Sequence, residues 1–287
     1  MKIAILSDIH GNVAALETVM AHIDAWQPDQ VIVNGDVVNR GADSPTCWQM
    51  VRARRAQQGW RVLGGNHETY VCKHANPVPD VEHVGVRADI NKNSRWTYQQ
   101  LNGHVAELAA LPPLTELAAA DGSVLRTTHA SMRSNEDGIY PTYTDKEIQP
   151  RIAPATAVFV TSHIHVAYTR LIGQTLLVNT GATGNSVDGD TRASYAQIIW
   201  RNGQWQAQIV RLAYDRAATD RAFFNSGFMA ETGPLAWLIY HEWQTARPLL
   251  LPWRKGCKDA VLNGQISLER SVSEFLEQQG IVQTSRL

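Results

Sequence analysis

Residues 2–10 read KIAILSDIH, an apolar run that ends in an aspartate and a histidine. A short apolar run of this kind indicates a buried strand, here over Lys2–Ser7. Asn12 is a suitable N-cap for a helix that follows. The apolar residues of that helix recur on one face, at Val13, Leu16, Val19, Met20 and Ile23. The stretch therefore predicts a strand, a polar turn and an amphipathic helix.

The same strand-and-helix pattern occurs twice more. Gln30–Asn34 is a predicted strand that ends at Gly35-Asp36, and Ser44-Pro45 begins a second helix. Trp60–Leu63 is a third predicted strand, and it ends at the sequence GGNHE, residues 64–68. Three strand-and-helix units in succession predict a parallel sheet covered by helices.

The second half of the chain is richer in strands. A helix is predicted from about Lys92 to Ala110, and helical spacing returns from Tyr214 onward. Further strands are predicted at 123–128, 157–161, 174–178, 195–200 and 205–212. Glycine-rich turns separate the last three strands, which are therefore expected to be antiparallel neighbours. Residues 1–214 are expected to form a catalytic domain, and 215–287 a helical C-terminal extension packed on it or capping it.

Composition excludes several classes of protein. The 287 residues include 26 Lys and Arg against 27 Asp and Glu, so a broad basic surface for nucleic acid or an anionic membrane is not expected. No stretch is long and apolar enough to span a bilayer. Cys47, Cys72 and Cys257 match no zinc or redox spacing, which favours reduced thiols in a cytoplasmic protein.

Five clusters of polar residues follow predicted strands, where open α/β sheets keep their ligand crevices. They are Asp8-Ile9-His10, Gly35-Asp36, Gly65-Asn66-His67-Glu68, His129, and His163-Ile164-His165. Each cluster alone is weak evidence, because a lone Asp-x-His or Gly-Asp usually marks a turn and a lone histidine is usually structural. The ordered set, with every member after a strand, favours one shared site.

Metal-assisted cleavage of a phosphate ester requires this mixture of residues. Two divalent ions about 3.5–4 Å apart neutralise the ester and convert a bridging water to hydroxide, the nucleophile. One carboxylate must bridge the ions, while neutral imidazoles keep the site positively charged. Residues at i and i+2 on extended backbone point the same way, and Asp8/His10 and His163/His165 have that spacing.

In this order, the motifs resemble those of the calcineurin-like metallophosphoesterase superfamily: D-x-H, GD, GNH[ED], a lone His, and GHxH. The resemblance covers residues 1–214 and implies an αββα sandwich of two mixed sheets with helices outside. It also implies two metal ions, with Asp36 bridging them. The mixed set of His, Asp and Asn ligands suits Mn²⁺, Fe or Zn²⁺ and does not decide among them. One ion would be held by Asp8, His10, Asp36 and His165, and the other by Asp36, Asn66, His129 and His163. His67 would protonate the leaving oxygen or steady the transition state without binding metal.

The run Gly35–Gly41 resembles the GDxVDRG block of Ser/Thr protein phosphatases and symmetrical diadenosine tetraphosphatases. The resemblance implies that Arg40 clamps a phosphate through its planar fork; the alternative is a solvent-exposed arginine in a glycine loop. A later run, 179–195, is similar to the NPGS…DGDxRASY pattern of small bacterial members; the alternative is a glycine-rich hairpin. Asn39 stands where the protein phosphatases have an aspartate, and Thr69-Tyr70 replaces their arginine.

Two loops and the extension could shape substrate choice. Residues 72–91 and 133–150 follow site motifs and should border the crevice, unless they are only variable surface loops. The extension carries Trp237, Trp243 and Trp253, and the basic residues Arg247, Arg254, Lys255 and Lys258. Helices docked on the core or forming a dimer surface are favoured over a cap that stacks a nucleobase and holds phosphates.

The sequence thus predicts a metal-dependent phosphoesterase that hydrolyses phosphate ester or phosphoanhydride bonds of a nucleotide-like or small phosphoester substrate. A Ser/Thr-type protein phosphatase is the alternative enzyme, and the missing arginine makes it the weaker one. A non-catalytic metal-binding scaffold is the alternative outside enzymes, and it predicts lost ligands. The sequence decides neither the natural substrate nor the oligomeric state.

Overall fold

Two five-stranded sheets form the centre of the computed structural model, which describes residues 1–76 and 85–281. The strands are β1 (Lys2–Leu6), β2 (Gln30–Asn34), β3 (Arg61–Leu63), β4 (Leu114–Ala118), β5 (Val124–Thr128), β6 (Val158–Thr161), β7 (Ala167–Ile172), β8 (Thr175–Thr180), β9 (Ala193–Arg201) and β10 (Gln204–Leu212).

Helices connect and cover these strands. The helices of the first 214 residues are α1 (Val13–Trp26), α2 (Ser44–Gln58), α3 (Asn66–Cys72), a 3₁₀ turn (Lys73–Ala75), α4 (Gly85–Ile90), α5 (Lys92–Gln100), α6 (Ala106–Ala109) and α7 (Asp145–Ile152). Those that follow are α8 (Arg216–Asn225), α9 (Phe228–Glu231), α10 (Leu235–Thr245), α11 (Leu250–Gly256), α12 (Lys258–Leu262) and α13 (Leu268–Gln278).

The first sheet has the order β10-β9-β1-β2-β3, and the second β4-β5-β6-β8-β7. Strands β1, β2 and β3 are parallel, which confirms the sheet predicted from the three strand-and-helix units. Strand β9 joins β1 antiparallel, and β10 pairs with β9 in the same sense. Both sheets are therefore mixed.

Successive side chains of β1 alternate between two hydrophobic cores, and this places the sheet between two layers. Ile3 and Ile5 point into an apolar core between the sheets, where they meet residues such as Val160 and Val178. Ala4 and Leu6 point the opposite way, into a core shared with α1 and α2. Helix α7 covers the outer face of the second sheet through Ile148 and Ile152. The α/β fold of two mixed sheets with helices outside is as predicted.

The helices after Tyr214 have cores of their own. Trp253 is fully buried and donates from its indole nitrogen to Ser271, 3.0 Å away. Trp243 is also buried, and it donates to the Tyr214 hydroxyl at 2.8 Å. These two tryptophans therefore pack inside the protein, which is the interpretation that the sequence favoured for them. In the described ranges 1–76 and 85–281, no helix has the length and apolarity needed to cross a membrane.

One predicted pairing of strands is wrong. Strand β8 was expected beside β9, but it lies in the second sheet, parallel to β6 and antiparallel to β7. The connection from β8 to β9, residues 181–192, exceeds the roughly two to five residues of a hairpin loop. It passes from one sheet to the other instead, with Thr183 donating to the Ser7 carbonyl at 2.8 Å. The hairpin alternative for this run is therefore also wrong.

Other differences lie at edges and loops. Strands β4 and β7 were not predicted; both are sheet edges, and Leu114 and Leu171 on them are exposed. The helix predicted from Lys92 to Ala110 is interrupted at Asn102 and Gly103, both with positive φ. The predicted loop 72–91 contains the 3₁₀ turn and α4, and its residues 77–84 lie outside the described part of the chain.

Candidate metal centre

Loops after five strands meet at one edge of the two sheets. Strands β1, β2 and β3 lead to Asp8/His10, Asp36 and Asn66, and β5 and β6 lead to His129 and His163/His165. Among the residues that the structure describes, three overlapping groups could each hold a metal ion, with ligand atoms within 4.8 Å of one another. These groups are Asp8/His10/His165, His10/Asp36/His67 and Asp36/His129/His163.

Left-handed backbone, and not the expected extended backbone, aims these side chains. The φ angles are 52° at Asp8, 49° at His10, 55° at Asp36, 70° at His163 and 57° at His165. The prediction of extended backbone at the two i, i+2 pairs was therefore wrong, although the paired residues do face one site. Such a conformation costs a non-glycine residue about 1–2 kcal/mol, and it persists where surrounding structure fixes it, often at ligand sites.

The first group centres on Asp8. Its Oδ1 lies 3.3 Å from His165 Nε2 and 3.9 Å from His10 Nε2. The two histidine Nε2 atoms are 3.1 Å apart. All three side chains are buried. The atoms thus surround one point with a carboxylate and two imidazole nitrogens.

The second group centres on Asp36 and Asn66. Asp36 Oδ2 lies 3.2 Å from His129 Nε2, and Asn66 Oδ1 lies 3.0 Å from the same nitrogen. His163 Nδ1 approaches Asn66 Oδ1 to 2.8 Å. Asp36 Oδ2 also lies 3.8 Å from His10 Nε2 of the first group. Asp36 is therefore the side chain shared by both groups.

Backbone carbonyls orient three of the histidines. His10 Nδ1 donates to Asn39 O at 3.2 Å, His129 Nδ1 to Asn34 O at 2.8 Å, and His165 Nδ1 to Asn185 O at 2.5 Å. A carbonyl only accepts, so each Nδ1 carries a proton and each Nε2 faces the site. Histidines that bind metals are usually fixed in this way.

Two buried oxygens also fit a cation. Asp8 Oδ1 and Asp36 Oδ2 have no hydrogen-bond partner among the described residues. Burial opposes ionisation of Asp36, but His129, His67 and His10 lower the pKa of its carboxyl well below the usual range. Burial also opposes protonation of His129, yet Asp36 raises the pKa of this ring to about 10. Two carboxylates, oriented imidazoles and an amide oxygen form a ligand set suited to Mn²⁺, Fe or Zn²⁺.

His67 borders both groups and has its own support. Asn39 Nδ2 donates to His67 Nδ1 at 2.9 Å, while Asn39 Oδ1 accepts from Arg40 N at 2.9 Å and from the Thr97 hydroxyl. These bonds fix the amide orientation. Burial lowers the pKa of His67 well below its ordinary value. The ring is therefore neutral, with its proton on Nε2, which lies 4.0 Å from Asp36 Oδ2.

Arg40 is not the solvent-exposed arginine of the alternative interpretation. Its side chain is only 13% exposed, and its Nη2 lies 2.5 Å from Glu242 Oε1 on α10. Glu242 is 4% exposed, and its other oxygen accepts from the N–H groups of Leu249 and Leu250 at 2.8 and 2.9 Å. A residue of the extension thus fixes the arginine beside the site. Glu242 was not singled out from the sequence, because no local motif connects it to Arg40.

Glu68 accepts hydrogen bonds from the backbone of the loops that follow β2 and β3. Its Oε2 accepts from Asp36 N and Gly65 N at 2.8 Å each, and its Oε1 accepts from Val37 N and Val38 N at 2.8 and 3.2 Å. Glu68 belongs to the third sequence motif, but this role was not predicted for it. The available signal was its place three residues after the Gly65 N-cap, where a glutamate commonly bonds back to the cap.

Two glycines permit the loops to pack closely. A Cβ at Gly65 would lie 2.1 Å from Asp36 Oδ1, and one at Gly35 would lie 2.7 Å from His129 Nδ1. Gly35 also has a φ of +88°, which favours glycine. The glycines in these two motifs therefore set the distance between the candidate ligands.

A cavity of about 360 Å³ opens beside His67 and Arg40. Tyr70, Lys73 and Glu136 line it from the first 214 residues, and helices α10–α12 contribute lining residues from the extension. The segments 72–91 and 133–150, expected to border the crevice, contribute Lys73 and Glu136. The cavity is within the size range of small-molecule sites.

Comparisons with known proteins agree with this geometry. A family model described as calcineurin-like phosphoesterase matches residues 1–169. An uncharacterized protein of Methanocaldococcus jannaschii is 25% identical over 231 residues, 74% of this chain and 88% of that protein.

Two solved structures share the fold. A metallophosphoesterase from Sphaerobacter thermophilus has a TM-score of 0.62 and 23% identity, over 86% of this chain and 99% of that one. A hypothetical protein from Pyrococcus horikoshii OT3 has a TM-score of 0.68 and 13% identity, over 82% and 97%. Because the family model covers more than half of the sequence and every motif from Asp8 to His165, the chain belongs to the calcineurin-like phosphoesterase family.

Proposed function

We propose that the protein is a dinuclear-metal-dependent phosphoesterase that hydrolyses a small, nucleotide-like phosphate ester or phosphoanhydride. The observation that carries this proposal is the shared position of Asp36, whose Oδ2 lies 3.8 Å from His10 Nε2 and 3.2 Å from His129 Nε2. A carboxylate placed between two groups of ligands is what a pair of ions requires.

The proposed ligands divide as the resemblance implied. Asp8, His10, Asp36 and His165 would hold one ion, and Asp36, Asn66, His129 and His163 the other. The metals would be Mn²⁺, Fe or Zn²⁺. When bound, such ions neutralise the phosphate oxygens and lower the pKa of a bound water.

The remaining site residues would act on the substrate. His67 presents its Nε2–H and would hydrogen-bond through it to the leaving oxygen, where it would stabilise the developing charge, because Asn39 occupies Nδ1. Arg40 would bind a phosphate oxygen through a guanidinium nitrogen not bonded to Glu242. Its Nε is buried without a partner among the described residues, so the guanidinium has a donor to offer.

We further propose that residues 1–214 form the catalytic domain and 215–287 a helical extension that caps it. The support is the cavity wall formed by α10–α12 and the Arg40–Glu242 pair. A cavity closed on one side by the extension suits a small phosphorylated molecule better than a protein segment, so the Ser/Thr-type protein phosphatase remains the weaker candidate.

Metal content and substrate comparison test the proposal together. The purified chain is expected to hold two metals and, with added Mn²⁺, to hydrolyse 4-nitrophenyl phosphate, its bis-nitrophenyl diester or a dinucleotide polyphosphate. Fewer than two metals per chain and no turnover of any of the three would refute the enzyme assignment. Such a result would favour the non-catalytic scaffold.

A further inference from the structure

The cavity beside His67 carries an excess of positive charge. Four basic side chains line it, namely Arg40, Lys73, Arg254 and Lys258, and Glu136 is the acidic one. Arg40 is paired with Glu242, whereas Lys73, Arg254 and Lys258 have no carboxylate within 4.0 Å in the described part of the chain. Three cations thus face one carboxylate across a space of about 360 Å³.

The cations come from three separate elements around one cavity, and Lys73 and Arg254 are exposed at it. Arg254 lies on α11 and Lys258 at the start of α12, whereas Lys73 begins the 3₁₀ turn. Surrounding protein and the nearby charge of Arg40 lower the pKa of Arg254, against the opposing effect of Tyr70, Glu136 and Glu242. Holding these like charges near each other is unfavourable, so an anion bound between them would be stabilised.

The position of His67 shows which part of a substrate would enter. The His67 ring is 5.2 Å from the Tyr70 ring, and Lys73 Nζ lies 5.6 Å from the same Tyr70 ring. If His67 donates to the leaving oxygen, the leaving group must extend from His67 past Tyr70 toward the cations. The apolar lining at Leu235 and Ile239 suits a carbon skeleton between the two ends.

We infer that this cavity binds the leaving group of the substrate and that this leaving group carries a second phosphate, held by Arg254, Lys258 and Lys73. The inference rests on the proposed phosphoesterase function and specifies its substrate class, an organic bisphosphate. Arginine and lysine are the usual phosphate-binding side chains, and Arg254 can bind two oxygens at once.

Alkyl phosphates of matched length test the inference. Initial rates of phosphate release would be compared for α,ω-alkanediol bisphosphates of two to six carbons and the alkyl monophosphates of the same lengths. The wild type is expected to favour the best bisphosphate by about tenfold or more in kcat/KM, the effect of one charge-assisted hydrogen bond. Arg254→Gln and Lys258→Gln should each remove most of this preference and leave the monophosphate rate unchanged.

Lys255→Gln is the matched control, because Lys255 neighbours Arg254 on α11 but does not line the cavity. It should keep the preference. Equal rates for the two substrate series, or equal losses on both in Arg254→Gln, would overturn the inference and leave the phosphoesterase assignment standing. Lys258→Gln provides an independent result if Arg254→Gln does not fold.

If no substrate is turned over, the proposed function fails and the cavity is tested by binding alone. Calorimetric titration with hexane-1,6-diol bisphosphate should then show binding to the wild type that is at least tenfold weaker in Arg254→Gln. No difference between these proteins would refute the cavity assignment as well.

Discussion

Glu242 Oε1 lies 2.5 Å from Arg40 Nη2 and joins helix α10 to the loop that follows β2. The two residues are 202 positions apart in the sequence, and both side chains are nearly buried. Removing one member of a buried ion pair leaves an uncompensated charge and commonly costs about 3–5 kcal/mol. The extension is therefore coupled energetically to the loop that carries Asp36.

Glu242→Gln is expected to weaken substrate binding without loss of metal. The amide keeps the shape but not the charge that orients Arg40, so KM for a phosphate ester should rise about tenfold. The melting temperature should also fall, because Leu249 and Leu250 donate to the same carboxylate. Kinetics, metal analysis and a thermal melt measure these effects.

Glu269→Gln, an exposed change on α13, is the control for Glu242→Gln and should leave all three measurements unchanged. A lower KM in Glu242→Gln would mean that Glu242 withholds Arg40 from the substrate. That outcome would contradict the positioning role.

Asp36→Asn is expected to lose metal and activity together. Asp36 Oδ2 faces His129 at 3.2 Å and His10 at 3.8 Å, and an amide there cannot supply the bridging charge. Loss of an outer-shell partner alone costs metal sites about 10–100-fold, so a shared ligand should cost at least 100-fold in kcat/KM. Metal content by mass spectrometry and turnover are the measurements.

The exposed Asp29→Asn provides a matched charge change far from the site, at the opposite end of β1. It should retain both metals and full activity. Two metals retained by Asp36→Asn would contradict the bridging assignment.

The parallel order of β1, β2 and β3 was predictable because each strand and its helix are local, periodic and apolar. The meeting of the five motifs was predictable for the same reason, since parallel strands end at one edge. Edge strands such as β4 and β7 were not predictable, because the exposed Leu114 and Leu171 interrupt the alternation of buried apolar and exposed polar residues. The left-handed backbone at Asp8 and His10 was not predictable either, since it depends on the loop after β2, where Asp8 N donates to the Gly35 carbonyl and His10 N to the Asp36 carbonyl.

Hydrogen bonds and ion pairs between residues far apart in the sequence were also not predictable. Asn34 ends β2, donates to the Thr128 carbonyl at 2.7 Å and to Ser162 at 2.8 Å, and thereby ties the two sheets beneath the site. The partner of Asn34, like that of Arg40, is set by how the sheets and the extension pack and not by local spacing.

Glu68→Gln is expected to destabilise the fold. The carboxylate accepts four backbone N–H bonds, and an amide can accept through only one of its two atoms. Two buried N–H groups would lose their partner and face an NH₂ group, which should lower the free energy of unfolding by about 2–4 kcal/mol. Urea unfolding of the metal-free protein measures this.

Glu107→Gln is the comparison for Glu68→Gln, because Glu107 pairs with Arg52 at the surface, where both side chains are about half exposed. It should change stability by less than about 1 kcal/mol. Equal stability of Glu68→Gln and the wild type would show that the four bonds do not hold the loops.

His67→Ala should separate chemistry from metal binding. His67 lies within 4.8 Å of the ligand atoms of His10 and Asp36, so the geometry alone would also permit it to bind metal. Because Asn39 occupies its Nδ1 and its Nε2 carries a proton, we expect it to donate to the substrate instead. Turnover of an alkyl phosphate should fall by about 10²–10⁴-fold with both metals retained.

The leaving group provides the decisive readout for His67. Nitrophenolate is a stable leaving group, whereas an alkoxide needs a hydrogen-bond donor to stabilise its developing charge, so His67→Ala should impair 4-nitrophenyl phosphate much less than hexyl phosphate. His104→Ala, an exposed histidine outside the site, should affect neither substrate. Equal losses on both substrates would exclude a hydrogen bond from His67 to the leaving oxygen, and loss of metal in His67→Ala would make this residue a ligand.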